Sequence, residues 1–182
     1  MRKIMAIVLL IALLGMGHAQ QPQIPTLQVC NPSQVKGSGD GQIGSRASLP
    51  AIKGTFSIKL EVVCDPTSSP YPTGSLSLNI NMNDSWTGTI FISPDALKTS
   101  FDQLTTTGKS SPTAYLTGRC TTDAEIPIKG CRIWLLLADN RSSEQGTPDV
   151  VSFLVFDGTG VRKAYGTAAL KSGDIKISPT SF

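Results

Sequence analysis

Residues 55–62 (TFSIKLEV) alternate polar and apolar without a break, so Phe56, Ile58, Leu60 and Val62 share one face and Thr55, Ser57, Lys59 and Glu61 the other. A period of two predicts a half-buried antiparallel strand. Residues 75–82 repeat the device, with Leu76, Leu78, Ile80 and Met82 inward and Ser75, Ser77, Asn79 and Asn81 outward. Pro66, Pro70 and Pro72-Thr73-Gly74 between them predict a turn-rich loop. Two later segments, 131–138 (CRIWLLLA) and 150–156 (VVSFLVF), are apolar at nearly every position. Each is short and stopped by turn residues, Asp139-Asn140 and Asp157-Gly158, which predicts central strands covered on both faces. Asp157-Gly158-Thr159-Gly160 predicts a tight hairpin into 161–167, and Ser172-Gly173-Asp174 a turn before a final short strand carrying Ile175 and Ile177. Tyr115, Thr117 and Arg119 line one face of another strand.

Leu97–Thr107 carries two conflicting signals. Ser93-Pro94-Asp95 has the form of a helix start, with Leu97, Phe101 and Leu104 on one helical face, while Thr99 and Thr105 to Thr107 favour a strand. Eight or nine short strands separated by turns predict an all-β domain over 37–182. The expected form is an antiparallel β-sandwich of jelly-roll or immunoglobulin-like kind, with a small closed barrel as the alternative. Residues 20–36, with Pro22, Pro25 and Pro32 and no period, predict an extended arm.

Composition bears mainly on compartment and on what chemistry is out of reach. Arg2 and Lys3, the apolar run Ile4–Leu14, and the small residues Gly17 and Ala19 have the order of a secretory signal peptide over 1–19. Eleven apolar residues make a helix of roughly 16 Å, short of a ~30 Å hydrocarbon core. Without Arg2 and Lys3 the formal net charge falls from +3 to about +1. No basic patch interleaved with aromatics suggests nucleic acid, and no later apolar stretch is long enough to span a membrane. The one histidine, His18, leaves with the signal peptide, which excludes Ser-His-Asp and Cys-His triads. Cys30, Cys64, Cys120 and Cys131 show no CxxC pairing of the kind that holds zinc, and an even count in an exported chain predicts two disulfides. The favoured pairing is Cys30–Cys64 and Cys120–Cys131, each pair being nearest in sequence, with the second flanking a hairpin.

The order of the pieces resembles the post-COAP family of bacterial extracellular β-sandwich domains. The resemblance is carried by GSGDGQI (37–43), GTFSI (54–58), PTGSLSLNI (72–80), SFDQL (100–104), AYLTGRC (114–120), CRIWLLLADN (131–140), DVVSFLVFD (149–157), VRKAYGT (161–167) and SGDIKI (172–177). It implies an accessory module of an exported protein without catalytic residues, and a strand over Leu97–Thr107.

Asp40, Asp149, Asp157 and Asp174 sit beside turns, but with no DxDxDG-like spacing they serve the backbone rather than calcium. No metal or cofactor signature is present. Glu61, Glu125 and Glu144 form no recognisable glycosidase pair with the aspartates. Trp86, Trp134, Tyr71, Tyr115 and Tyr165 are candidates for a sugar-stacking platform. Trp86, in the polar stretch Asn83-Asp84-Ser85-Trp86, is the expected ligand-facing ring, whereas Trp134 is expected in the core. The expectation is therefore a non-enzymatic structural or adhesive protein, secreted, periplasmic or at the cell surface, with a carbohydrate-binding module as the alternative. Its partner would be a glycan or another surface protein.

Overall fold

Phe56, Ile58, Leu60 and Val62 all point inward from strand β2 (Gly54–Cys64), and Leu76, Leu78, Ile80 and Met82 do so from β3 (Thr73–Met82). The computed structural model describes residues 29–44, 54–83, 85–140 and 146–179. Residues 1–19, and the arm up to residue 28, lie outside the described residues. The other strands are β1 (Ser33–Ile43), β4 (Thr87–Ile92), β5 (Ser100–Thr107), β6 (Thr113–Arg119), β7 (Thr121–Asp123), β8 (Arg132–Ala138), β9 (Val150–Phe156) and β10 (Arg162–Pro179). Ser33–Lys36, expected in the arm, already belong to β1.

The chain does not form two separate sheets. All ten strands join one antiparallel sheet in the order β5-β6-β8-β9-β10-β1-β2-β3-β4-β7, curled strongly into a half-barrel. The cause is β10. Its first part, to Ala169, pairs with β9, and from Leu170 onward it pairs with β1, so one strand runs through the corner where a sandwich would break. The Ser172-Gly173-Asp174 turn is a distortion inside this strand, with Gly173 at φ 90°, rather than a break before a new one. Glycines in β1 leave room for the bend. A Cβ on Gly39 would lie 2.6 Å from the Ser172 carbonyl oxygen and 2.7 Å from Leu170 Cδ1.

The concave side holds one hydrophobic core, drawn from both halves of the sheet. Phe56 of β2 and Phe153 of β9 meet across it edge to face, with ring centroids 5.7 Å apart. A second corner joins β6 to β7 through the single residue Cys120, whose amide donates to the Cys131 carbonyl. The Cys120–Cys131 disulfide, with a Cα–Cα distance of 4.9 Å, staples that corner. It also closes the antiparallel β6–β8 pair, one position beyond Arg119 opposite Arg132, as expected for a staple flanking a hairpin, while β7 in the loop between them pairs with β4. Cys30–Cys64, at 5.7 Å, ties the entry of β1 to the end of β2. Val29 to Asn31 then cover the free edge of β5. The Leu104 amide donates to the Val29 carbonyl, and the Asn31 side chain both accepts from the Thr106 amide and donates to its carbonyl.

Pro94–Thr99 forms turns and β5 follows, so the Leu97–Thr107 segment is turn then strand with no helix. Ser93 keeps a capping role on that turn, its hydroxyl accepting from the Asp95 amide.

Candidate functional site

The two strands expected to be covered on both faces are covered on one. In β8, Ile133, Leu135 and Leu137 are buried, while Trp134 is 46% and Leu136 49% exposed. In β9, Val151, Phe153 and Val155 are buried and Leu154 and Phe156 only half-buried. A single curled sheet has one concave interior, and among the described residues no second layer covers the convex side here. The surplus of apolar residues in these strands therefore becomes a surface.

Register assembles that surface in rows across the strands. Thr117 of β6, Trp134 of β8, Leu154 of β9 and Tyr165 of β10 are consecutive cross-strand partners. The next row is Tyr115, Leu136, Ser152 and Thr167, and the row on the other side is Arg119, Arg132, Phe156 and Arg162. Trp134 leans on Phe156, with centroids 5.3 Å apart. The Arg162 guanidinium lies 3.9 Å over the Tyr165 ring, a cation–π contact. Ser152 and Thr167 share a hydroxyl–hydroxyl hydrogen bond of 2.8 Å.

Arg119 and Arg132 stand directly opposite each other, an arrangement of like charges that costs stability unless offset. Asp102 offsets it from a bulge in β5, with its carboxylate 3.6 Å from Arg119 Nε and 3.4 Å from an Arg132 terminal nitrogen. Beyond this pair the face runs into a cleft of about 320 Å³, bordered by Asp102, Arg119, Phe101, Ser93 and the exposed ring of Tyr71. Trp134, Tyr115 and Tyr165 thus share one face, and Tyr71 borders the adjoining cleft.

Trp86 is absent from this face, contrary to expectation. It is 8% exposed and donates its indole N–H to the Ile126 carbonyl at 3.0 Å. Its polar neighbours in sequence belong to a turn, while the ring tucks beneath the 126–130 segment. The two tryptophans have exchanged the places expected of them. Leu136, Leu154, Phe156, Arg132 and Arg162 were not singled out from the sequence, whereas Tyr115, Thr117 and Arg119 were expected to share one strand face and do so on β6. The available signal was the run of apolar residues at outward positions of 132–138 and 150–156.

The turn aspartates serve the backbone. Asp157 accepts from the amides of Thr159 and Val161, and Lys163 pairs with it at 3.0 Å. The Thr159 hydroxyl first, then Lys163, hold its carboxyl well below the usual carboxylate range. The hydroxyls of Thr67 and Ser68 lower Asp65 in the same way. Asp149 and Asp139 are buried, and accept from the amides of Ile175 and Ile177 on the edge of β10 that faces away from β1. Asp40 bonds the Ser172 hydroxyl. Among the described residues no three His, Cys, Asp or Glu side chains gather as a metal site would require. No family model, curated protein or solved structure matches this chain, so its functional reading rests on the geometry.

Proposed function

We propose that the protein is an exported, non-catalytic adhesive module whose contact surface is the convex face of β6, β8, β9 and β10. The observation that carries this reading is one contiguous sheet face on which Trp134 and Leu136 are exposed and Tyr115, Leu154, Phe156 and Tyr165 are half-buried around them. Contiguous apolar patches on soluble proteins mark interaction sites, and Trp, Tyr and Arg are the side chains that concentrate binding energy. Two disulfides suit an oxidising compartment, which agrees with export through the 1–19 leader. The aromatic content of the face also favours the second reading, a carbohydrate-binding module. The test is partitioning in the organism that makes the protein. Wild-type protein is expected on the cell surface, and a Trp134→Ala, Leu136→Ala variant in the medium. Equal retention of the two would overturn the assignment.

A further inference from the structure

We propose that the ligand of this face is an extended acidic polysaccharide, a chain of uronate units laid across the strands. The assignment rests on the convex face being the contact surface, and it follows from how rings and charges repeat there. Strands β6, β8 and β10 each contribute one arginine and one aromatic ring to the same face: Arg119 with Tyr115, Arg132 with Trp134, and Arg162 with Tyr165. The apolar side chains of Leu154 and Phe156 on β9 fill the interval between the last two pairs.

The spacing suits a glycan. Strands β8 and β10 are two steps apart in the sheet. At ~4.8 Å per step, Arg132 and Arg162 repeat at about 9.6 Å, as do Trp134 and Tyr165. A 1,4-linked chain extended in its twofold-screw form turns alternate units over, so every second unit presents the same edge at close to this interval. The half-exposed indole of Trp134, tilted against Phe156, leaves aromatic surface for the axial C–H bonds of one pyranose. Arg162, held over the Tyr165 ring, is placed for the carboxylate of the unit two further on.

Charge decides between this ligand and its rivals. The arginine row holds three guanidiniums against the one carboxylate of Asp102, which Arg119 and Arg132 share. Lys163 and Asp157 beside it neutralise each other. A second copy of the chain would bring two such rows towards each other, and a neutral glycan would leave the excess charge unused. The hydroxyls of Thr117, Ser152 and Thr167 and the amide of Gln103 border the rings, and they suit sugar hydroxyls better than an apolar protein surface.

Calorimetric titration of the disulfide-intact protein with oligogalacturonate and with cellohexaose is the test. Oligogalacturonate is expected to bind at least about tenfold more tightly than cellohexaose. Its affinity should fall about tenfold between 50 and 500 mM NaCl, because exposed ion pairs are screened. Trp134→Ala and Arg162→Gln should each weaken it about tenfold or more while leaving the thermal midpoint in place. Equal binding of the two sugars overturns the acidic assignment. If neither sugar binds and Trp134→Ala instead converts a dimer into a monomer, the face is a protein contact. If neither binds and the chain is monomeric, the glycan assignment also fails. Should Trp134→Ala, Leu136→Ala still shed protein into the medium without uronate binding, the adhesive reading survives and only this one is lost. Should retention be unchanged as well, both are lost.

Discussion

The carboxylate of Asp149 accepts the backbone amide of Ile175 at 2.8 Å through one oxygen and the amide of Asn140 at 2.9 Å through the other. Both oxygens are used as acceptors, in a fully buried position. The Leu170 amide, at the corner of β10, donates to the Asp149 backbone carbonyl at 2.8 Å. One residue thus holds the bend of the strand that links the two halves of the sheet. Asp149→Asn keeps the shape but sets an N–H₂ group against one of the two amide donors. Hydrogen bonds to charged groups contribute about 1.5–3 kcal/mol, so a loss of that order is expected. In a chain of this length each 1 kcal/mol moves the thermal midpoint by roughly 2–4 °C. Thermal melts of the variant check this, and an unchanged midpoint would remove Asp149 from the corner.

The tryptophans predict opposite phenotypes. Trp86→Ala opens a cavity beneath the 126–130 segment and orphans the Ile126 carbonyl, at a cost of about 3–5 kcal/mol. Trp134→Ala removes a half-exposed ring and should cost under about 1 kcal/mol. Urea titration of both variants measures the contrast directly. Similar costs for the two would mean that their surroundings are assigned wrongly.

Removing the staples should loosen different places. On the chain-entropy model the Cys120–Cys131 loop contributes about 3 kcal/mol and the longer Cys30–Cys64 loop nearly 4. The paired serine variant at 30 and 64 should also expose the β5 edge, since Val29 and Asn31 are held there through Cys30. Hydrogen exchange at the Leu104 and Thr106 amides is expected to accelerate in that variant and not in the 120/131 pair.

Acid should destabilise the fold through its turn aspartates. Asp157 and Asp65 are depressed when folded, so near pH 4 and below the unfolded chain binds more protons than the native one. The stability they contribute is complete above the ordinary aspartate value of about 3.9 and is lost as pH falls towards their folded values. For a chain cleaved after Ala19, which has no imidazole, the midpoint should stay nearly level from pH 6 to 8. Asp157→Asn should make the acid limb shallower, and a limb as steep as that of the wild type would show that other groups set it.

The core faces of β2 and β3 were legible because one side of each strand meets water and the period of two records it. The disulfide pairing was legible from proximity in the chain. The number of layers was not. CRIWLLLA reads the same whether its second face meets another sheet or a ligand, so Trp134 and Leu136 could be placed only once β10 was seen to run through the corner. Trp86 was misplaced for a related reason. Asn83 and Ser85 describe the turn beside it and carry no record of Ile126, forty residues further on, whose carbonyl holds the indole. The arginine row is likewise a product of register, since Arg119, Arg132 and Arg162 belong to three separate strands.

The pairing of β1 with β10, from Ser33 opposite Pro179 to Gly41 opposite Leu170, lies at the middle of the strand order. The centre of the sheet is therefore made by the first and last of the described strands. Contacts this distant in sequence close slowly. Without β10, the group β1–β4 with β7 and the group β5, β6, β8 and β9 have no strand pairing between them at the middle of the sheet, and Val29–Asn31 on the β5 edge is what still links them. Loss of the last ten residues of β10 would cut the molecule at its middle rather than trim its edge.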